Sequence, residues 1–135
     1  MKIISNKNKL IKLIIREENL GFVPTMGAIH KGHSSLIRKS NSQSNKTIVS
    51  IYINRPQFNN KRDFRSYPRT FNKDIKKLKK LNVHYLYLPS TKQIYPKGTN
   101  KKIKISSFEK DLCGKTRPGH FKGVVDVIDR FIKII

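Results

Sequence analysis

Apolar residues recur along this chain at two alternating spacings. Leu10, Leu13 and Ile14 share one face of a predicted helix over Asn6–Glu18, and Ile3 extends the same stripe. Leu20 to Pro24 is an apolar run of strand length. Ser34–Ser44 is mostly polar but carries Leu36 and Ile37, which predicts a helix. Thr47–Ile53 (Thr-Ile-Val-Ser-Ile-Tyr-Ile) is β-branched almost throughout and apolar on both faces, the pattern of a central parallel strand. Asn54–Tyr67 reads as a loop. Phe71, Ile75, Leu78 and Leu81 line one face of a helix over Pro68–Leu81, with Pro68 in its first turn. Val83–Leu88 is a third strand, with His84 inside it as a packing residue, and Lys102–Ile105 is a short fourth. A loop at Arg117–Phe121 precedes a last helix from about Gly123. Strands alternating with helices predict a doubly wound parallel α/β sheet, whose ligands sit beyond the carboxyl ends of strands. The turn Pro24–His33 and the loop Asn54–Phe58 both fall at such ends.

Composition sharpens this picture. A chain of 135 residues that is 36% hydrophobic can bury one core, so a single domain over 1–135 is expected. No apolar run approaches bilayer length, and Met1–Ile15 lacks the clean apolar stretch and cleavage site of a signal peptide. The lone Cys113 has no partner for an internal disulfide and no Cys/His cluster beside it. It reads as a structural residue in a soluble, cytoplasmic protein. The net charge of +22 raises nucleic-acid binding as a function class. Yet the lysines come with many Ile and Asn residues, all encoded by AT-rich codons, and they are spread along the chain. The densest run, Lys61–Lys80, reads as a solvated helix face, and no aromatic platform is interleaved with it. A nucleic-acid module is therefore placed behind a nucleotide-binding protein and an enzyme.

Candidate chemistry concentrates in Pro24-Thr25-Met26-Gly27-Ala28-Ile29-His30-Lys31-Gly32-His33. Small residues let a backbone approach a phosphate closely. A helix starting near Lys31 or Gly32 would aim free N–H groups and its positive dipole end at an anion. His30 and His33 could donate to a phosphate whose charge grows during reaction. Strand, glycine turn and His-x-Gly-His helix start together suggest a nucleotide site. The alternative is a structural turn with two surface histidines.

Four blocks, in order, carry a more specific resemblance. They are Phe22-Val23-Pro24-Thr25-Met26-Gly27-Ala28-Ile29-His30-Lys31-Gly32-His33, then Val49 to Asn60 with Asn54-Arg55-Pro56-Gln57-Phe58, then Asp63 to Tyr67-Pro68-Arg69-Thr70, then Arg117-Pro118-Gly119-His120-Phe121-Lys122-Gly123-Val124. Together they resemble the pantothenate synthetase (pantoate–β-alanine ligase) family over nearly the whole chain. The resemblance implies a Rossmann-like sheet of the HxGH nucleotidyltransferase type. It implies ATP-dependent condensation of pantoate with β-alanine through a pantoyl adenylate, releasing AMP and pyrophosphate. No covalent enzyme intermediate is needed, so catalysis is positioning and charge stabilisation.

The residue roles follow from the resemblance. Met26, Gly27, Ala28, Ile29, His30, Lys31, Gly32 and His33 would form the ATP segment, with His30 and His33 on the phosphates and His33 the proton donor. Gln57, aided by Asn54, would bind pantoate and later β-alanine. Val124 and Val127 would wall the dimethyl end of pantoate. Arg117, His120 and Tyr67 could either brace their loops or touch ligand. Mg²⁺ would accompany the ATP phosphates rather than occupy a protein cluster. A homodimer is the implied assembly.

Departures from the family set further expectations. Family members are roughly twice this long, and their later Gly-x-Lys-Asp and Ser-Ser-Arg segments are absent from these 135 residues. Arg55-Pro56 stands where the family usually has Pro-Thr, and the proline restricts the residue before it. The last helix carries Val124, Val127, Ile128, Phe131, Ile132 and Ile135 to the final residue without a capping glycine. The expectation is an incomplete N-terminal domain lacking its C-terminal domain: a fragment, a frameshift product, or half of a split enzyme with a separately encoded C-terminal half. By itself such a chain would be a weak or inactive synthetase that binds ATP.

Overall fold

The computed structural model describes residues 1–105 and 117–135; Cys113 lies outside them. The strands are β1 (Lys2–Ile4), β2 (Leu20–Thr25), β3 (Lys46–Ile51) and β4 (Tyr85–Tyr87). They form one parallel sheet in the order β1-β4-β3-β2. Among the described residues the helices are α1 (Lys7–Ile14), α2 (Lys31–Gln43), α3 (Lys61–Ser66), α4 (Phe71–Lys80), α5 (Thr91–Ile94) and α6 (His120–Ile132), and a 3₁₀ turn spans Arg55–Gln57.

Strand alternation divides the core into two layers. Ile48, Tyr85 and Tyr87 face one side, where Leu10, Ile14, Ile94, Val127 and Phe131 of α1, α5 and α6 pack on them. Val23, Val49 and Leu86 face the other, under Ile37 of α2 and Leu78 of α4. Both faces of the sheet are thus covered, which is why β3 carries apolar residues on both of its faces and buries Thr47 and Ser50 as well. The doubly wound expectation holds, and β2 and β3 open at their carboxyl ends toward α2 and the 3₁₀ turn.

Several boundaries differ from the sequence reading. Ile3 belongs to β1, an edge strand, and is 48% exposed rather than part of the α1 stripe. Lys102–Ile105 forms no strand. The fourth strand of the sheet is instead β1, which pairs with β4, Ile3 opposite Leu86. α1 ends at Ile14, and Asn19 takes a left-handed φ of 52° to turn into β2. The loop Asn54–Tyr67 contains both the 3₁₀ turn and α3. Asn60 starts α3 reciprocally: its Oδ1 accepts from the Asp63 N–H at 2.8 Å, and its Nδ2 donates to Asp63 Oδ2 at 2.8 Å. Pro68 stands ahead of α4, which begins only at Phe71, and Phe71 is 42% exposed. α6 begins at His120, three residues before Gly123. His84 precedes β4, and its Nδ1 accepts from the Thr47 N–H at 3.1 Å.

Candidate active site

The site starts where β2 runs out. Thr25 is buried; its hydroxyl donates to the Ser50 carbonyl at 2.8 Å and accepts from the Gly27 N–H at 3.1 Å. Gly27 then takes φ +83°, and a Cβ there would also press on Ile51 Cγ2 at 3.3 Å. Ala28 follows at φ +49°, a left-handed conformation that costs a non-glycine residue about 1 kcal/mol or more. His30 is the N-cap of α2: its Nδ1 accepts from the Gly32 N–H at 3.1 Å. That bond puts the proton of a neutral His30 on Nε2, the nitrogen left to donate elsewhere. The His33 ring stacks on His30 with centroids 3.9 Å apart. His33 Nδ1 is buried without a partner. Burial and then His30 hold the His33 imidazole below its ordinary range, while Asp74 pulls it the other way.

The facing wall is built from the loop after β3 and the start of α6. Asn54 is 1% exposed and its amide is fully used. Its Nδ2 donates to Gln57 Oε1 at 3.0 Å and to the Gly123 carbonyl at 3.0 Å. Its Oδ1 accepts from the Tyr95 hydroxyl at 2.8 Å. The Arg130 guanidinium lies over the Tyr95 ring, 4.3 Å from its centroid, and is itself held by Asp126 Oδ1 at 2.6 Å. Burial, Asp126 and Tyr52 push the Tyr95 phenol well above its usual value, so it stays a neutral donor. Because Asn54 occupies Gln57 Oε1, the Gln57 amide presents its NH₂ group to an incoming acceptor. His120 Nδ1 donates to the Gln57 carbonyl at 2.9 Å, tying the α6 start to the 3₁₀ turn.

These two walls enclose a cleft of about 290 Å³ lined by Met26, His30, His33, Asn54, Gln57, Tyr67, Val124 and Val127, with Tyr52, Ile128 and Phe131 at its floor. A second chamber of about 260 Å³ adjoins it and shares Met26, Gln57 and Tyr67; Arg117 and His120 line this one. The predicted ligand residues therefore converge from three chain regions. Gly27, Ala28, Ile29 and Gly32 shape the turn rather than line the cleft, and Ile29 is buried in the core under α4. Lys31 faces a separate groove with His30, Lys77 and Lys80. Among the described residues no set of three or more His, Cys, Asp or Glu converges on a cation position.

The family model described as pantoate-beta-alanine ligase matches residues 2–135. This chain belongs to that ligase family. Pantothenate synthetase of Pseudothermotoga lettingae is 40% identical over 135 residues, which is all of this chain and 48% of that protein. The Clostridium botulinum pantothenate synthetase is 42% identical over 98% of this chain and 49% of its own length. Among solved structures, a pantoate-beta-alanine ligase from Francisella tularensis, crystallised with beta-gamma ATP and beta-alanine, superposes with TM-score 0.93 and 40% identity. That match covers 99% of this chain and 53% of the other. The Thermus thermophilus enzyme follows with TM-score 0.90 and 31% identity over all of this chain and 49% of its own. The chain thus spans about half the length of the relatives it matches.

For this ligase-family chain, sequence reasoning missed the supporting residues. Tyr95 and Asp74 lie outside the four motif blocks, and Thr25 lies inside the first with no role expected of it, yet each holds a motif residue in place. Asp74 carried a signal: it sits three residues after Phe71 and four before Leu78, on the buried face of α4. The reading of Lys61–Lys80 as a solvated charged face therefore fails at this one position, which is 1% exposed.

Proposed function

We propose that this chain is the nucleotide- and pantoate-binding half of a pantoate–β-alanine ligase. The observation that carries the reading is the convergence of His30, His33 and Gln57 on one cleft at the carboxyl ends of β2 and β3. In the proposed first step a pantoate carboxylate oxygen attacks the α-phosphorus of ATP, and pyrophosphate leaves. In the second the β-alanine amine attacks the acyl carbon, the acyl–phosphate oxygen bond breaks, and AMP leaves. His30 Nε2–H, the His33 ring and the N-terminal end of α2 face growing negative charge on the phosphates. The Gln57 NH₂ group holds the pantoate carboxylate, and Val124 and Val127 take its dimethyl end, since apolar methyls gain by leaving water. His33, held neutral by its surroundings, is available to donate one ring N–H without first losing a charge.

Mg²⁺ belongs to this reading as the counter-ion that ATP brings to the phosphate site. A cytoplasmic setting and a homodimer complete it.

Calorimetric titration of the purified chain tests the proposal. ATP and pantoate should each bind; His33→Ala should weaken ATP, and Gln57→Ala should weaken pantoate, each by about tenfold or more. Binding of ATP with no response to pantoate would leave a nucleotide-binding protein only. Binding of neither would defeat the proposal.

A further inference from the structure

The turn that presents His30 and His33 is held by a residue of α4. The Asp74 carboxylate is 1% exposed and accepts three hydrogen bonds. Its Oδ1 takes the Ile29 N–H at 2.8 Å. Its Oδ2 takes the Ala28 N–H at 3.0 Å and the Thr70 hydroxyl at 3.0 Å. From the same helix the Lys77 ammonium donates to the Ile29 carbonyl, so Ile29 is gripped at both its N–H and its C=O.

Successive N–H groups in a turn containing left-handed residues form a concave nest that attracts an anion. Gly27 at φ +83° and Ala28 at φ +49° make such a turn. Here the anion is internal. A buried carboxylate is costly unless its lone pairs are used, and three short bonds use them. The turn is equally dependent on the acid, because a strained Ala28 persists only where its surroundings over-determine it.

We infer that Asp74 is a positioning residue for the nucleotide site: it occupies the Ala28 and Ile29 N–H groups, locks the turn, and leaves the two histidines and the start of α2 as the donors facing phosphate. This rests on the reading of His30–His33 as an ATP-binding turn. It also assigns Ala28 and Ile29 a structural use of their amides in place of phosphate contact. Asparagine cannot replace the acid at equal volume. It has one acceptor oxygen, and its NH₂ would face an N–H.

Amide hydrogen exchange reads the clamp without ligand. Ala28 and Ile29 lie in no helix or strand, yet their amides should exchange as slowly as those of β2 and β3. Rapid exchange at both in the native chain overturns the proposal. Asp74→Asn should release at least one of these amides while Ile48 and Val49 stay protected, and should weaken ATP binding about tenfold or more. Thr70→Val removes one donor of the three and should act in the same direction more weakly; it carries the test if Asp74→Asn does not fold. Unchanged exchange and unchanged ATP affinity in a folded variant means that Asp74 only fills space, which also overturns the proposal. A native chain that binds no ATP but shows slow Ala28 and Ile29 exchange keeps the clamp and removes its assignment to a nucleotide.

Discussion

Tyr95 reaches Asn54 from the C-cap of α5, and through Asn54 it sets the direction of the Gln57 amide. Tyr95→Phe deletes one hydroxyl and leaves Asn54 Oδ1 buried without a donor. An orphaned buried acceptor costs about 1–3 kcal/mol, so urea denaturation should show a loss in that range. Pantoate binding should weaken as Gln57 loosens, while ATP binding holds; equal losses for both would show that Tyr95 supports the fold at large. His33 makes a second expectation at this scale. Burial and His30 lower its proton affinity in the folded chain, whereas the unfolded chain takes up a proton near the ordinary value of about 6.5. As pH falls through that value the unfolded state binds more protons than the folded one, so stability declines. His84, lowered by burial and Lys46, adds in the same direction. Unfolding midpoints measured from about pH 7.5 down to about 5.5 should fall, and the His33 ring should titrate below its ordinary value of about 6.5 by NMR; a His33 midpoint above that would contradict the site's geometry.

At the scale of elements, the contact that matters most is between α6 and the 3₁₀ turn. Gly123 is buried, and a Cβ there would stand 2.6 Å from both Cα and N of Gln57. Backbone cannot move aside as a side-chain tip can. Gly123→Ala should therefore push α6 off the turn, costing about 1–3 kcal/mol as overpacking. It should also tear the Gly123 carbonyl away from Asn54 Nδ2. Thermal unfolding and pantoate titration on the one variant read both effects; an unchanged Tm would mean that α6 packs elsewhere. The Arg117–Val124 block was legible as a motif, but its distance from Gln57 was not. Gln57 and Gly123 lie 66 positions apart in the chain, and only the folded sheet brings them together. The helix α3 was legible in principle from Asn60-x-x-Asp63, a capping pattern hidden among basic residues.

For the whole molecule, charge sets the behaviour of the surface. Thirty basic residues face eight acidic ones. Two ion pairs form among the described residues, Arg130–Asp126 and Lys133–Asp129, and two of the acids, Asp74 and Asp126, are buried. The folded chain should therefore repel itself. Raising salt from about 0.01 M to about 0.15 M shortens the screening length from about 30 Å to about 8 Å. The urea midpoint should rise with it, and a fall would mean that attractive pairs outweigh the repulsion. The sequence by itself determined the parallel α/β class and the family, and it marked His30, His33 and Gln57 as the candidates that the fold then places on one cleft. Those depend on local pattern: strand-length apolar runs, a glycine turn, and motif residues close together in the chain. The tertiary structure alone decided that β1 completes the sheet, that Asp74 anchors the turn, and that Tyr95 and Gly123 aim Gln57. Each of these joins residues distant in sequence, and whether a polar group is spent on the protein or left for a ligand depends on that pairing.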